Sequence, residues 1–170
     1  MSNSIKFGTG GWRAVIGEDF SRENVRRIAA GVAMLMKAQN KLDKPVVIGY
    51  DRRFLSDNAA RWFAEVLSAY NIQVYFLKRS APTPLIMHTV KHKHLHYGIE
   101  ITASHNPACY NGIKLIIEEG KDADIETTEL LERFIEQVDS PKHLEFNQAI
   151  SNHMIKYINN PFNDYMNYPD

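Results

Sequence analysis

YGIEITASHNPACYNGIKLIIEE, residues 97–119, is the stretch on which the fold turns. Its opening, YGIEIT, and its close, GIKLIIEE, are short runs rich in β-branched residues, and both read as strands. About ten residues separate them, too few for a crossover helix, so the pair is expected to be antiparallel. The connecting loop is small, polar and stopped by Pro107, and it carries Ser104, His105 and Asn106, while Lys114 sits inside the second run. A strand that ends in a serine and a histidine and returns with a lysine asks for a chemical reason.

Working outward, strands and helices alternate. Residues 21–38 place Val25, Ile28, Ala29, Val32, Leu35 and Met36 at helical spacing, with Ser21 as N-cap and Glu23 in the first turn. PVVIGYD, residues 45–51, is a buried-strand pattern, and a helix is expected from about Asp57, burying Ala59, Phe63, Val66, Leu67 and Tyr70. IQVYFLK, residues 72–78, is another strand, and Thr83 can cap a short helix whose first residue, Pro84, has no N–H to lose. A last long helix begins near Asp124, with Leu130, Leu131, Phe134, Ile135 and Val138 on one face. This alternation predicts a three-layer α/β/α sandwich with a mixed, mostly parallel sheet. Ligands in such folds gather at the carboxyl ends of strands, where the 102–111 loop belongs. After about residue 139 the pattern weakens to one expected helix around residues 149–158, which divides the chain into a domain at 1–140 and a segment at 141–170 that begins a linker.

At 170 residues, with 44% hydrophobic side chains, one core is expected. The 20 basic and 20 acidic residues cancel, so nothing demands nucleic acid or an anionic membrane as partner. The single cysteine, Cys109, excludes an internal disulfide framework, and no apolar run approaches the roughly 20 residues of a membrane span, so a cytoplasmic protein is expected.

Ser104 needs a base or a reactive electrophile to act as a nucleophile. His105 is its immediate neighbour, an awkward geometry for a hydrolase couple, and no GxSxG elbow surrounds it. A phosphoryl carrier makes better sense of the loop: an exposed hydroxyl, cationic or N–H donors for the dianion, and a proton acceptor, supplied by Lys114, His105 and amides near Asn106 and Gly112. Taken alone, the loop is equally explained as a capping turn in which Ser104 or Asn106 bonds the backbone. FGTGGWRA, residues 7–14, lets amides approach an anion and offers Arg13 as a planar fork, but it is neither a P-loop nor a dinucleotide fingerprint. In GYDRRFLS, residues 49–56, Asp51, Arg52 and Arg53 can orient other loops by charge-assisted bonds, or simply form a solvated turn capped by Ser56. His88, His92, His94 and His96 are interleaved with lysines and read as a solvated helix end rather than a zinc site.

Together, FGTGGWR, GYDRR, APTP and TASHNP followed by YNGIK resemble the N-terminal domain of the alpha-D-phosphohexomutases, the phosphoglucomutase and phosphomannomutase family. The resemblance implies reversible interconversion of hexose 1-phosphate and hexose 6-phosphate through a phosphoserine and a bisphosphorylated sugar. It places the phosphoserine at Ser104, a site-organising histidine at His105, a general acid or base at Lys114 and a phosphoserine-supporting arginine at Arg13. Thr9, Gly10 and Asn106 fall among the phosphate-binding positions. It further implies Mg2+ bound through the phosphate of Ser104, glucose or mannose 1,6-bisphosphate as activator and intermediate, and a phosphosugar substrate. Family members have four domains, and the DGDxDR metal loop is missing here, since KDADIE at 121–126 lacks the glycine and arginine. The remaining mutase domains are therefore expected partners, and the isolated chain is expected not to turn over phosphosugars. A non-catalytic phosphosugar- or protein-binding module of the same fold is the alternative.

Overall fold

The computed structural model describes residues 4–8 and 11–159. In chain order its principal elements are β1 (Trp12–Val15), α1 (Arg22–Ala38), β2 (Val46–Tyr50), α2 (Ser56–Ala69), β3 (Val74–Leu77), α3 (Thr83–His92), β4 (Tyr97–Ile101), β5 (Tyr110–Ile117), β6 (Lys121–Asp122), α4 (Ile125–Gln137), α5 (Phe146–Ser151) and β7 (Ile155–Ile158). One sheet takes the order β1-β5-β4-β2-β3-β7, with β6 paired to β5. Strands β4, β2, β3 and β7 pair in parallel, whereas β5 is antiparallel to each of β1, β4 and β6. Strand β5 alone therefore runs against the rest, which makes the sheet mixed and mostly parallel, with the antiparallel pair at 97–119.

Alternation along the strands builds two cores. Val46 and Ile48 of β2 belong to the larger one, beneath α1, α2 and α4, while Val47 joins Leu85, Ile86 and Val90 of α3 on the opposite face. Helix α1 begins where the Ser21 hydroxyl accepts the Asn24 N–H at 3.2 Å, and α4 where Asp124 accepts from Thr127 at 2.8 Å. Each helix then lays its apolar stripe on the sheet, so the three-layer sandwich follows from the period-2 and period-3.6 patterns together.

Four local expectations are corrected. The tract expected as one helix over 149–158 is instead the short helix α5 and then β7, separated by a left-handed turn at His153 (φ 61°). A helix cannot run through that turn, and IKYI gains a full parallel ladder on β3 instead. Phe146, Ala149 and Ile155 share the larger core with residues before 140. Thr83 is the first residue of α3, not its cap, and Pro82 takes the cap position without a side-chain bond. Ser56 likewise opens α2 behind a left-handed Leu55 (φ 67°). The strand β1 begins within the segment 7–14, which reads from sequence as an anion-approaching loop and not as a strand. Among the described residues no helix is long and apolar enough to cross a membrane.

Candidate active site

Strand β4 delivers its last residue, Ile101, to the sheet's rim, and the chain leaves as Thr102–Ala103–Ser104. Ala103 is buried and anchors the exit, while Ser104 and His105 are exposed. Ser104 takes a left-handed backbone, φ 53°. A non-glycine residue there costs on the order of 1 kcal/mol and persists only where its surroundings over-determine it. Those surroundings are visible. The Ser104 N–H donates to Thr102 Oγ1 at 3.1 Å, the Asn106 N–H to the Ala103 carbonyl at 3.0 Å, and the Tyr110 N–H to the Pro107 carbonyl at 3.0 Å.

The strongest restraint comes from Arg53, more than fifty residues earlier. Its guanidinium donates to four carbonyls of the loop: from Nη2 to Ser104 at 2.8 Å and Asn106 at 2.7 Å, and from Nη1 to Pro107 at 2.9 Å and Tyr110 at 3.0 Å. A planar, permanently charged fork suits this task as an ammonium would not. Arg53 is itself held by Asp51, which accepts the Arg53 N–H at 2.9 Å and lies 3.6 Å from Nε. The hydroxyl of buried Ser56 donates to Asp51 at 2.6 Å, and the side-chain amide of buried Asn111 donates to Ser56 at 2.9 Å. The chain Asn111–Ser56–Asp51–Arg53 thus ties the loop to α2 and β5 in a network whose members are mutually satisfied.

Strands β1, β5 and β4 set the other candidates beside this loop. Arg13 pairs in register with Gly112, and Thr102 donates its N–H to the Gly112 carbonyl at 3.0 Å. Arg13, Gly112 and Thr102 therefore share one rung and one face. Lys114 lies on the same face two residues along β5, roughly 7 Å from that rung. Its Nζ is 2.9 Å from Asp122 Oδ1 on β6, with the lysine half-buried and the aspartate exposed. A pair so placed stabilises by no more than about 1 kcal/mol, so Lys114 is readily released. Arg13 is exposed and makes no ion pair among the described residues, and the Asn106 carbonyl is one of the four bound by Arg53. Thr9 and Gly10 lie outside the described residues. The four histidines scatter: His88 and His92 stack at 5.0 Å along α3, His94 forms a left-handed turn, and His96 lies 2.9 Å from Asp43. Cys109 is exposed.

Three participants were missed or read only in part. The loop-orienting role of GYDRR was legible as a class, but nothing marked Arg53 rather than Arg52 as the clamp. Ser56 read as a cap and proves to be the link to Asn111. Glu100 was the third, and its signal was present: a carboxylate in the middle of the apolar run YGIEI. It is fully buried, its two oxygens have no hydrogen-bond partner among the described residues, and it faces Lys114 across the β4–β5 ladder. Burial first, and then the Asp51 charge, push its carboxyl well above the usual range, against the smaller pull of Lys114. The folded state therefore holds a proton that the unfolded chain releases above the ordinary value of 4.5. Stability from this group is complete below that pH and is lost as pH rises toward the raised folded value. Urea melts at pH 5 and pH 8 are expected to show wild-type stability falling with pH more steeply than that of Glu100→Gln. Parallel curves would contradict this protonation.

Known proteins resemble this chain in sequence and in fold. A family model described as phosphoglucomutase/phosphomannomutase, alpha/beta/alpha domain I, matches residues 4–142. The phosphoglucomutase of Staphylococcus saprophyticus is 37% identical over 162 residues, covering 92% of this chain and 29% of its own length. That of Staphylococcus aureus is 36% identical over 174 residues, covering 98% of this chain and 31% of its own. Among solved structures, a Thermus thermophilus protein assigned as a phosphomannomutase superposes with a TM-score of 0.81 at 30% identity, over 94% of this chain and 34% of that one. The open form of pp63/parafusin, a phosphoglucomutase from Paramecium, gives 0.78 at 18% identity, over 98% of this chain and 34% of that one, a likeness of fold alone. This chain spans about a third of the length of these relatives. With the family model matching residues 4–142 and the sandwich superposing on that of the Thermus thermophilus protein, the chain belongs to the phosphoglucomutase/phosphomannomutase family, as its α/β/α domain I.

Proposed function

We propose that this chain supplies the phosphoserine arm of a phosphohexomutase that interconverts hexose 1-phosphate and hexose 6-phosphate, with glucose or mannose phosphates as substrates, in the cytoplasm. The observation that carries the reading is an exposed Ser104, in a left-handed conformation, on a loop held by four carbonyl bonds to Arg53, beside a face that carries Arg13 and Lys114. A carrier serine must present one oxygen to two reaction partners in turn without moving, and rigidity of this kind serves that need.

In the forward half-reaction a sugar hydroxyl attacks the phosphorus on Ser104, the bond from Oγ to phosphorus breaks, and Lys114 handles the proton that passes from the hydroxyl to Oγ. In the return half-reaction Ser104 Oγ attacks the other phosphate of the sugar bisphosphate, and the second hexose monophosphate leaves. Arg13 holds the dianion and His105 organises the rim, whereas the Asn106 and Gly112 amides expected to help are taken by the Ala103 carbonyl and the Asn111 side chain. Magnesium, when bound, neutralises charge on the transferring oxygens. From this chain it would take one ligand, a phosphate oxygen on Ser104. No group of three or more His, Cys, Asp or Glu among the described residues could hold a metal ion, so further ligands would come from other domains.

The remaining domains complete the cleft, and the chain alone is expected to give no turnover in a coupled hexose-phosphate assay. Incubation with glucose 1,6-bisphosphate and magnesium, in a protein carrying all four domains, is expected to load one phosphate per chain by intact mass, with none on Ser104→Ala. Equal loading of the two proteins would remove the carrier role, and turnover by the isolated chain would remove the dependence on other domains. A protein that binds hexose phosphate but never loads would favour the non-catalytic module.

A further inference from the structure

At the carboxyl ends of β2 and β3, beside the Ser104 loop but outside it, lies an open cleft of about 680 Å³. Tyr50, Arg52, Arg53, Lys78, Arg79 and Ser80 line it, and Asp57 is the one carboxylate among the lining residues. Arg53 is committed to Asp51 and to the loop carbonyls. Arg52, Lys78 and Arg79 are exposed and make no ion pair or hydrogen bond among the described residues, so three cations share one concavity with little to neutralise them. Gathering like charges costs free energy that a bound anion returns. A smaller cavity lined by Asp51, Arg52, Ser80, Ala81 and Pro82 shares Arg52 and Ser80 with it.

We propose that the Arg52/Lys78/Arg79 cleft is a second anion site, which takes the dianion of a small phosphate monoester separately from Ser104. Two guanidinium forks and an ammonium match the three outward oxygens of a phosphate, and the Ser80 hydroxyl can donate a further bond. The half-buried ring of Tyr50, packed against Phe76 with centroids 5.9 Å apart, provides an apolar wall for whatever carries the phosphate. The site rests on these residues alone and does not require the phosphoserine reading. Because Arg53 lines the cleft and also holds the loop, occupancy of the cleft is felt at Ser104.

The test is an NMR titration of the chain with inorganic phosphate, and separately with glucose 6-phosphate, against chloride at matched ionic strength. Amides of residues 50–53 and 78–80 are expected to shift in the wild type and equally in the double variant Ser104→Ala/Arg13→Ala. In Arg52→Ala/Arg79→Ala, a surface variant, the dissociation constant is expected to rise at least ~10-fold. Equal affinity for the two probes assigns the site to phosphate itself, and tighter binding of the ester assigns it to a sugar phosphate; both support the proposal. No phosphate-specific shift up to about 10 mM, shifts matched by chloride, or binding lost with Ser104 and Arg13 but retained in Arg52→Ala/Arg79→Ala would overturn it. The last result would leave the carrier reading intact, whereas failure of Ser104 to accept phosphate leaves this site untouched.

Discussion

Arg53→Ala is expected to lower stability by about 3 kcal/mol and to cut phosphoryl transfer at Ser104 by about 100-fold. Four carbonyls of the 104–110 loop lose their donor at once, and Asp51 loses its cation. Hydrogen bonds to a charged group contribute more than neutral ones, but they are not additive, which is why the estimate stays well below four times the single-bond figure. Without the clamp nothing compels Ser104 to keep φ at 53°, so the loop relaxes and the hydroxyl leaves its aim. Arg53→Lys is expected to recover little, since an ammonium cannot span carbonyls on both sides of a planar fork. Amide exchange over residues 104–110 reads this directly. Faster exchange confined to the loop is the expected result, and exchange unchanged from wild type would contradict the clamp.

Gly112→Ala is expected to cost at least ~3 kcal/mol, through a different mechanism. A Cβ at this position would lie 2.1 Å from the Trp12 carbonyl oxygen, 2.9 Å from that of Thr102 and 3.1 Å from the Arg13 Cα. All three are backbone atoms of the flanking strands, so no side chain can turn aside. Either β1 moves off β5 and carries Arg13 away, or the ladder to Thr102 opens beneath Ser104. Urea melts with amide exchange at residues 12–15 separate these outcomes, and a variant within about 0.5 kcal/mol of wild type would show that the three strands are not joined as described.

Helix α1 and the β4–β5 pair were legible because their patterns are long or their connection is short, and each alone dictates its geometry. Strands β1 and β7 were not. Unlike the equally short β3 with its VYFL run, WRAV and IKYI each carry a charged residue at the second position, and each exists because a neighbouring edge supplies its ladder. The IKYI run of β7 follows a helix closely enough to look like its continuation until the His153 turn intervenes. For the site, Ser104 stood out just past the end of one apolar run and Lys114 inside the next, and the family motifs tied them to Arg13. The clamp was beyond reach for a geometric reason. Asp51 accepts the Arg53 N–H and lies 3.6 Å from its guanidinium, and nothing in the order of two adjacent arginines marks that choice of partner. Glu100 illustrates the opposite case, in which a charge inside YGIEI was visible and its burial was the part only tertiary packing could decide.

Phosphopeptide mapping of the protein carrying all four domains, after incubation with glucose 1,6-bisphosphate and magnesium, bears most directly on the claim that this loop presents a phosphoryl carrier. Phosphate is expected on the peptide containing ITASHNPACY, localised to Ser104 and not to the adjoining His105. An unmodified Ser104, or phosphate on another side chain, would contradict it.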